Sequence, residues 1–199
     1  MADDKKSRDK QARDEERRQM KRDQDEARER MGEPEPPIED EELDEIETEL
    51  GSLEFPATGA EVVDVVGERV VESVARRYSV EELVPDTEAE RFGSPSVVLS
   101  RIKRPTVARA MKRIAEAVDT LPDAELEGSQ RETYEKTLRE LKEIDADDED
   151  EGIRVVADWI VERIHEKEKL PGSRSVRRRA AEFCRANGYE VRNNDWLGV

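Results

Sequence analysis

Apolar residues recur densely only between Leu53 and Val118, and most of them do so at helical spacing. Thr58-Gly59-Ala60-Glu61 has capping-box spacing, in which the hydroxyl accepts from an N–H three residues on and the glutamate reaches back to the cap. Val63, Val66, Val70 and Val74 then follow at intervals of 3, 4 and 4, which a helix places on one face. β-Branched density and Gly67 leave a strand-containing reading of this stretch open. Ser79-Val80-Glu81-Glu82 repeats the cap and predicts a short helix ended near Pro85. Ser94-Pro95 sets a cap residue before a proline at the first helical position, with Val98, Leu99 and Ile102 as the buried side. Pro105 starts the next helix in the same way, and Val107, Met111, Ile114 and Val118 recur until Leu121-Pro122 stops it. Four helices with short connections predict a small helical bundle domain over 53–120.

The flanks are read from the same periodicity. Residues 2–31 carry acid-then-base pairs at i, i+4 but no apolar stripe, so they can bury little to offset their ordering entropy. Pro34, Pro36 and Pro37 then interrupt an acidic stretch that turns helical near Leu43, Ile46 and Leu50. Residues 1–52 are thus expected to be a charged arm and acidic linker, largely disordered or a solvated helix. Within 121–151, Ser129-Gln130-Arg131-Glu132 leads a helix over 129–143 with Tyr134, Leu138 and Leu141 as its stripe, and an acidic linker follows. The last segment, 152–199, reads as a helix-turn-helix-like module. Ile153, Val156, Ile160 and Ile164 line its first helix, and Leu170-Pro171-Gly172 ends that helix. Ser173 caps a second helix carrying Val176, Ala180 and Phe183, Asn187-Gly188 stops it, and Tyr189-Glu190-Val191 could form a short strand. The expected fold class is all-α.

Charge changes this picture more than composition does. Of 199 residues, 44% are charged and 34% hydrophobic, too lean for one core throughout, and 52 Asp and Glu against 35 Lys and Arg give a net charge of −17. The acid lies in two blocks: 33–54 holds 11 carboxylates and no cation, and 121–151 holds 13 against 4. Residues 152–199 reverse the balance, with 10 cations against 7 carboxylates. Arg outnumbers Lys 25 to 10. Such usage is expected of a halophilic archaeon, where carboxylates hold water and lysine stems are scarce; the alternative is an ordinary acidic mesophilic protein. One cysteine, Cys184, allows no intramolecular disulfide. No apolar run approaches the roughly 18 residues that span a bilayer, and Met1 to Lys10 offer no hydrophobic signal core. A cytoplasmic protein with no membrane role is expected.

Phe55-Pro56-Ala57-Thr58 and the later Phe92-Gly93-Ser94-Pro95 helix start carry a resemblance. The run they bracket, about a third of the chain, resembles an uncharacterised haloarchaeal family known only as a domain of unknown function. It is also similar to a broader prokaryotic family of small helical domains without assigned activity. The resemblance implies a setting and a helical fold class, and no chemistry.

Residue counts exclude most catalytic sites. With one His and one Cys there is no zinc site of Cys and His ligands, and His165 lies in a polar run while Cys184 adjoins Phe183 on the core side of its helix. No phosphate loop, GxGxxG, GxSxG or HExxH occurs, and the acidic runs 39–49 and 145–151 lack calcium-loop spacing. No catalytic residue, metal ligand or cofactor is expected. The remaining signal is Arg174, Arg177, Arg178, Arg179 and Arg185, of which 174, 178 and 185 share a helix face with 177 at its edge. The Leu170–Arg174 lead-in is similar to the turn before the recognition helix of some winged-helix repressors. Arg174, Arg177, Arg178 and Arg185 are therefore candidate contacts to DNA or RNA through residues 173–187, or to an acidic partner. They could equally pair with the chain's own acid, such as Asp147 to Glu151. Two functions follow: a non-enzymatic interaction or adaptor protein with an unknown protein partner, and alternatively a nucleic-acid-binding accessory or regulatory protein.

Overall fold

The apolar spacing is realised as helices in a computed structural model, which describes residues 37–74, 76–122, 124–126, 128–144 and 150–189. The expected N-terminal arm over 1–36, the acidic run 145–149 and the strand beyond Tyr189 lie outside the described residues. Seven α-helices are present among those described: α1 Asp44–Leu50, α2 Gly59–Val66, α3 Pro95–Ile102, α4 Pro105–Asp119, α5 Gly128–Ile144, α6 Glu151–Lys167 and α7 Ser173–Ala186. Four short strands join them: β1 Ala57–Thr58, β2 Val70–Glu72, β3 Arg77–Ser79 and β4 Arg91–Phe92. The architecture is mostly helical, and its two antiparallel two-stranded sheets, β1 with β4 and β2 with β3, correct the all-α expectation.

The correction falls on the valine run. The capping box forms at Thr58, whose hydroxyl accepts from the Glu61 amide while the Glu61 carboxylate accepts from the Thr58 amide at 2.7 Å. The helix it starts ends at Val66, so Val70 and Val74 do not continue its face and are exposed at 58% and 84%. Val62 and Val66, one turn apart, are the valines of α2 that are fully buried, and half-buried Val63 packs against the same cluster. The next core residue is Val71, and it gets there by alternation: β2 shows Val70 and Glu72 outward and pairs Val71 with buried Tyr78 of β3. The Val80 and Glu81 amides then donate to the Arg69 and Gly67 carbonyls at 2.8 and 3.0 Å, folding the hairpin back on the helix end. The helix expected at Ser79 shrinks to a 3-10 turn over Val80–Glu82, though its capping box is present.

The acidic segment before the core is folded over much of its length. Residues Asp40–Glu42 make a 3-10 turn and α1 follows, with Ile38, Leu43, Ile46 and Leu50 buried. The Ile38 amide donates to the Lys103 carbonyl at 3.0 Å, and α1 packs on α2 and α3. This overturns the linker reading for 38–50: three apolar residues at helical spacing, Leu43, Ile46 and Leu50, with Ile38 ahead of them, are enough when a neighbouring wall receives them.

Two hydrophobic clusters result, and α4 belongs to both. Ala108 packs in the cluster built from 38–102, whereas Val107, Ala110, Met111, Ile114, Ala115, Ala117 and Val118 pack in the cluster of α4 to α7. The described residues from Pro37 onward cluster as one compact unit, with α4 lying chiefly against α6. At the seam, Arg101 of α3 is buried beside Glu90 and Glu135, the side chains being 1%, 0% and 31% exposed. Its Nη2 donates to Glu90 at 2.5 Å and its Nε to Glu135 of α5 at 2.6 Å. Burial works against the guanidinium charge, but the two carboxylates outweigh it and hold its pKa above the ordinary arginine value.

Breaking such a pair leaves a charge without compensation in the interior, so Glu90→Ala is expected to destabilise by about 3–5 kcal/mol in urea melts. Gly59 lets the start of α2 lie against the 85–90 loop, where an added Cβ would meet the Pro85 carbonyl oxygen at 2.1 Å. Gly59→Ala is accordingly expected to cost at least about 1–3 kcal/mol by the same measurement, although alanine favours helices.

Candidate functional site

The arginine-bearing helix α7 is positioned by apolar spacing on one side and by its two ends. Val176, Ala180, Ala181, Phe183 and Cys184 are buried, and α7 packs on α5 and α6. Arg174, Arg178 and Arg185 fall on the opposite, exposed face, Arg177 is half-buried at its edge, and Arg179 is half-buried within 3.8 Å of Glu182. The cap is not Ser173, which is the first helical residue, but Gly172 in an extended conformation. At the C-terminus, Gly188 takes a left-handed φ of 73°. The Tyr189 amide then donates to the Cys184 carbonyl and the Gly188 amide to that of Arg185, a Schellman closure. Tyr189 stacks on Phe183 with ring centroids 6.1 Å apart.

The turn between α6 and α7 is pinned from α5. Glu168 leaves α6 in a left-handed conformation. The Pro171 carbonyl then accepts from both the Tyr134 hydroxyl and the Gln130 amide nitrogen, the latter at 2.9 Å. Burial pushes the Tyr134 phenol well above its ordinary pKa, against the hydrogen bond from Gln130, so it remains a proton donor at neutral pH. Two helices joined by residues 168–172, the second with its charged face outward, are thus held as one piece with α5.

Along that face Arg174, Arg178 and Arg185 span about 16 Å at the helical rise of ~1.5 Å per residue. Among the described residues none of these three, nor Arg177, forms an ion pair, and Asp150 of the acidic block is engaged by Lys142 instead. Asp147, the other end of the suggested internal pairing, lies outside the described residues. The Nε atoms of Arg177 and Arg179 are buried without hydrogen-bond partners among those residues. An open row of guanidinium forks can bind phosphate or carboxylate oxygens and offers no group for proton transfer. The single histidine and single cysteine differ in setting, His165 being exposed and Cys184 buried. Among the described residues no three metal-ligating side chains cluster, and no helix is long and apolar enough to cross a membrane.

Two hollows were not anticipated. One of about 680 Å³ sits at the bundle end between the α4–α5 and α6–α7 connections, with Leu121, Pro122 and Leu170 in its wall. Another of about 270 Å³ lies where α3 and the start of α4 meet α5, lined by Arg101, Arg104, Glu132, Glu135, Lys136 and Arg139 among others. On the sequence, Glu132/Lys136 and Glu135/Arg139 read as surface pairs at i, i+4, which is why their convergence with Arg101 and Arg104 was not apparent. Compared with known proteins, the chain matches no family model, no curated protein and no solved structure.

Tyr134→Phe removes one of two donors to the Pro171 carbonyl and is expected to cost about 1 kcal/mol, with faster amide exchange confined to the α6–α7 turn. Arg178→Gln, on the open face, should change stability by no more than about 0.5 kcal/mol. Measuring both separates the residue that places the helix from one that its surface merely displays.

Proposed function

We propose that this is a non-enzymatic interaction or adaptor protein of a halophilic archaeal cytoplasm, which receives an acidic protein partner on the face of α7. The observation that carries the reading is the row of Arg174, Arg178 and Arg185, exposed and without ion pairs among the described residues in a chain of net charge −17. A cation row that the chain does not neutralise locally is suited to carboxylates supplied from outside, and Arg177 at its edge widens the reach. The archaeal setting rests on the acidic, arginine-rich composition and on the Phe55–Thr58 and Phe92–Pro95 motifs. Exposed His165 and buried Cys184 support the non-enzymatic part.

A second reading places DNA or RNA on residues 173–187. It is favoured by one feature: α7 follows α6 after a five-residue turn and presents its arginines outward, as the second helix of a helix-turn-helix does. It ranks lower because the overall charge repels polyanions at long range, and a nucleic acid carries far more charge per length than an acidic protein surface.

The intact chain and an Arg174/Arg178/Arg185→Glu triple variant separate these readings. Native-salt purification should recover an acidic protein with the wild type and not with the variant, while neither is retained on DNA or RNA. Retention of the wild type on nucleic acid, falling with salt and lost in the variant, would select the second reading. Recovery of both proteins alone, with no retention, would sink both.

A further inference from the structure

We propose that the hollow between α3, α4 and α5 binds a small phosphate-bearing dianion, at a site separate from the arginine face of α7. The charge there is unbalanced by the buried ion pair. On α5, Glu135 would ordinarily serve Arg139 one turn later, but Arg101 engages it at 2.6 Å from Nε and 2.5 Å from Nη2. Among the described residues Arg139 then forms no ion pair, and neither does Lys136. Arg104 lines the same hollow and is itself engaged, and Arg101 has its charge met by Glu90 and Glu135. Glu132, exposed, is the other carboxylate in the lining.

The lining therefore holds four cations against Glu132 and Glu135, with Glu90 also meeting Arg101, and among the described residues the cations left without an ion pair are Lys136 and Arg139, beside the one exposed carboxylate Glu132. A phosphate monoester carries about −1.5 to −2 charges at neutral pH and presents three acceptor oxygens, matching one ammonium and one guanidinium fork. Volume narrows the ligand further. At about 270 Å³ the hollow is smaller than the roughly 300–1,000 Å³ typical of sites for drug-sized ligands, so it suits a phosphate with a short organic stem. The buried Arg101 and its carboxylates make the inner wall rigid. Phosphate binding needs no rearrangement of that wall, because Lys136 and Arg139 sit at its rim, exposed and half-buried.

The test is a titration of the full chain in potassium chloride with inorganic phosphate as the probe, followed by amide NMR and calorimetry. Saturable shifts confined to 100–107 and 132–139 are expected. Lys136→Gln combined with Arg139→Gln should weaken binding by at least about tenfold, the loss of charge-assisted hydrogen bonds, whereas Lys167→Gln, at an exposed cation outside both sites, should leave it unchanged. If the double variant melts early, Lys136→Gln alone is read the same way, since that side chain is exposed. Shifts that never saturate, equal affinity in the variants of Lys136, or an equal loss in Lys167→Gln would each overturn the proposal. So would tighter binding of succinate than of phosphate, which would assign the hollow to carboxylates.

Discussion

Arg101, buried between Glu90 and Glu135, ties together the loop before β4, helix α3 and helix α5, and the two hydrophobic clusters meet around it. Desolvating charges is costly and offsets much of their attraction, whereas losing one partner would leave an uncompensated charge in the interior. Phe92 contributes to that arrangement. Its ring lies 5.7 Å from the guanidinium carbons of both Arg101 and Arg131, and Arg131 donates to the Arg91 carbonyl at 2.7 Å. The short strand β4 is thus gripped from α3 and α5 together, and through β1 it holds the start of α2.

Solvent gives this arrangement its value. In the salt-rich cytoplasm proposed here the screening length falls to about 3 Å at 1 M, so exposed pairs such as Arg163 with Glu166 contribute little. The pair inside the protein is shielded from that loss because ions do not reach it. Surface acid then holds water, and the few interior charges hold orientation. The positive surface arises where packing disturbs local neutrality: on α5 because Arg101 takes a carboxylate inward, and on α7 because Glu182 lies beside Arg179 and away from the exposed row.

Helix α4 carries the second constraint. It is apolar around much of its circumference, with nine buried residues out of fifteen, so it can serve as a wall for two layers at once. That sharing joins the two hydrophobic clusters through one helix. It also explains how an acidic segment at 38–50 folds: Ile38 hydrogen-bonds at the end of α3, just before α4, and the α1 side chains fill the cluster on that side.

Periodicity with its cap and stop residues determined α3 to α7 to within a few residues, together with their buried faces, because Met111, Ile114, Leu138, Ile160 and Val176 recur at helical spacing where a strand would need alternation. It also placed Arg174, Arg178 and Arg185 on one exposed face, since helical geometry is local. The hairpin was different. Val70-Val71 fits either period, and the choice fell to Tyr78 and the Arg69 and Gly67 carbonyls, partners as far as fourteen residues away in the chain. The hollow beside Arg101 was wholly tertiary: Glu90, Arg101 and Glu135 are scattered among many similar charges, and burial, which no local pattern records, is what sets these three apart.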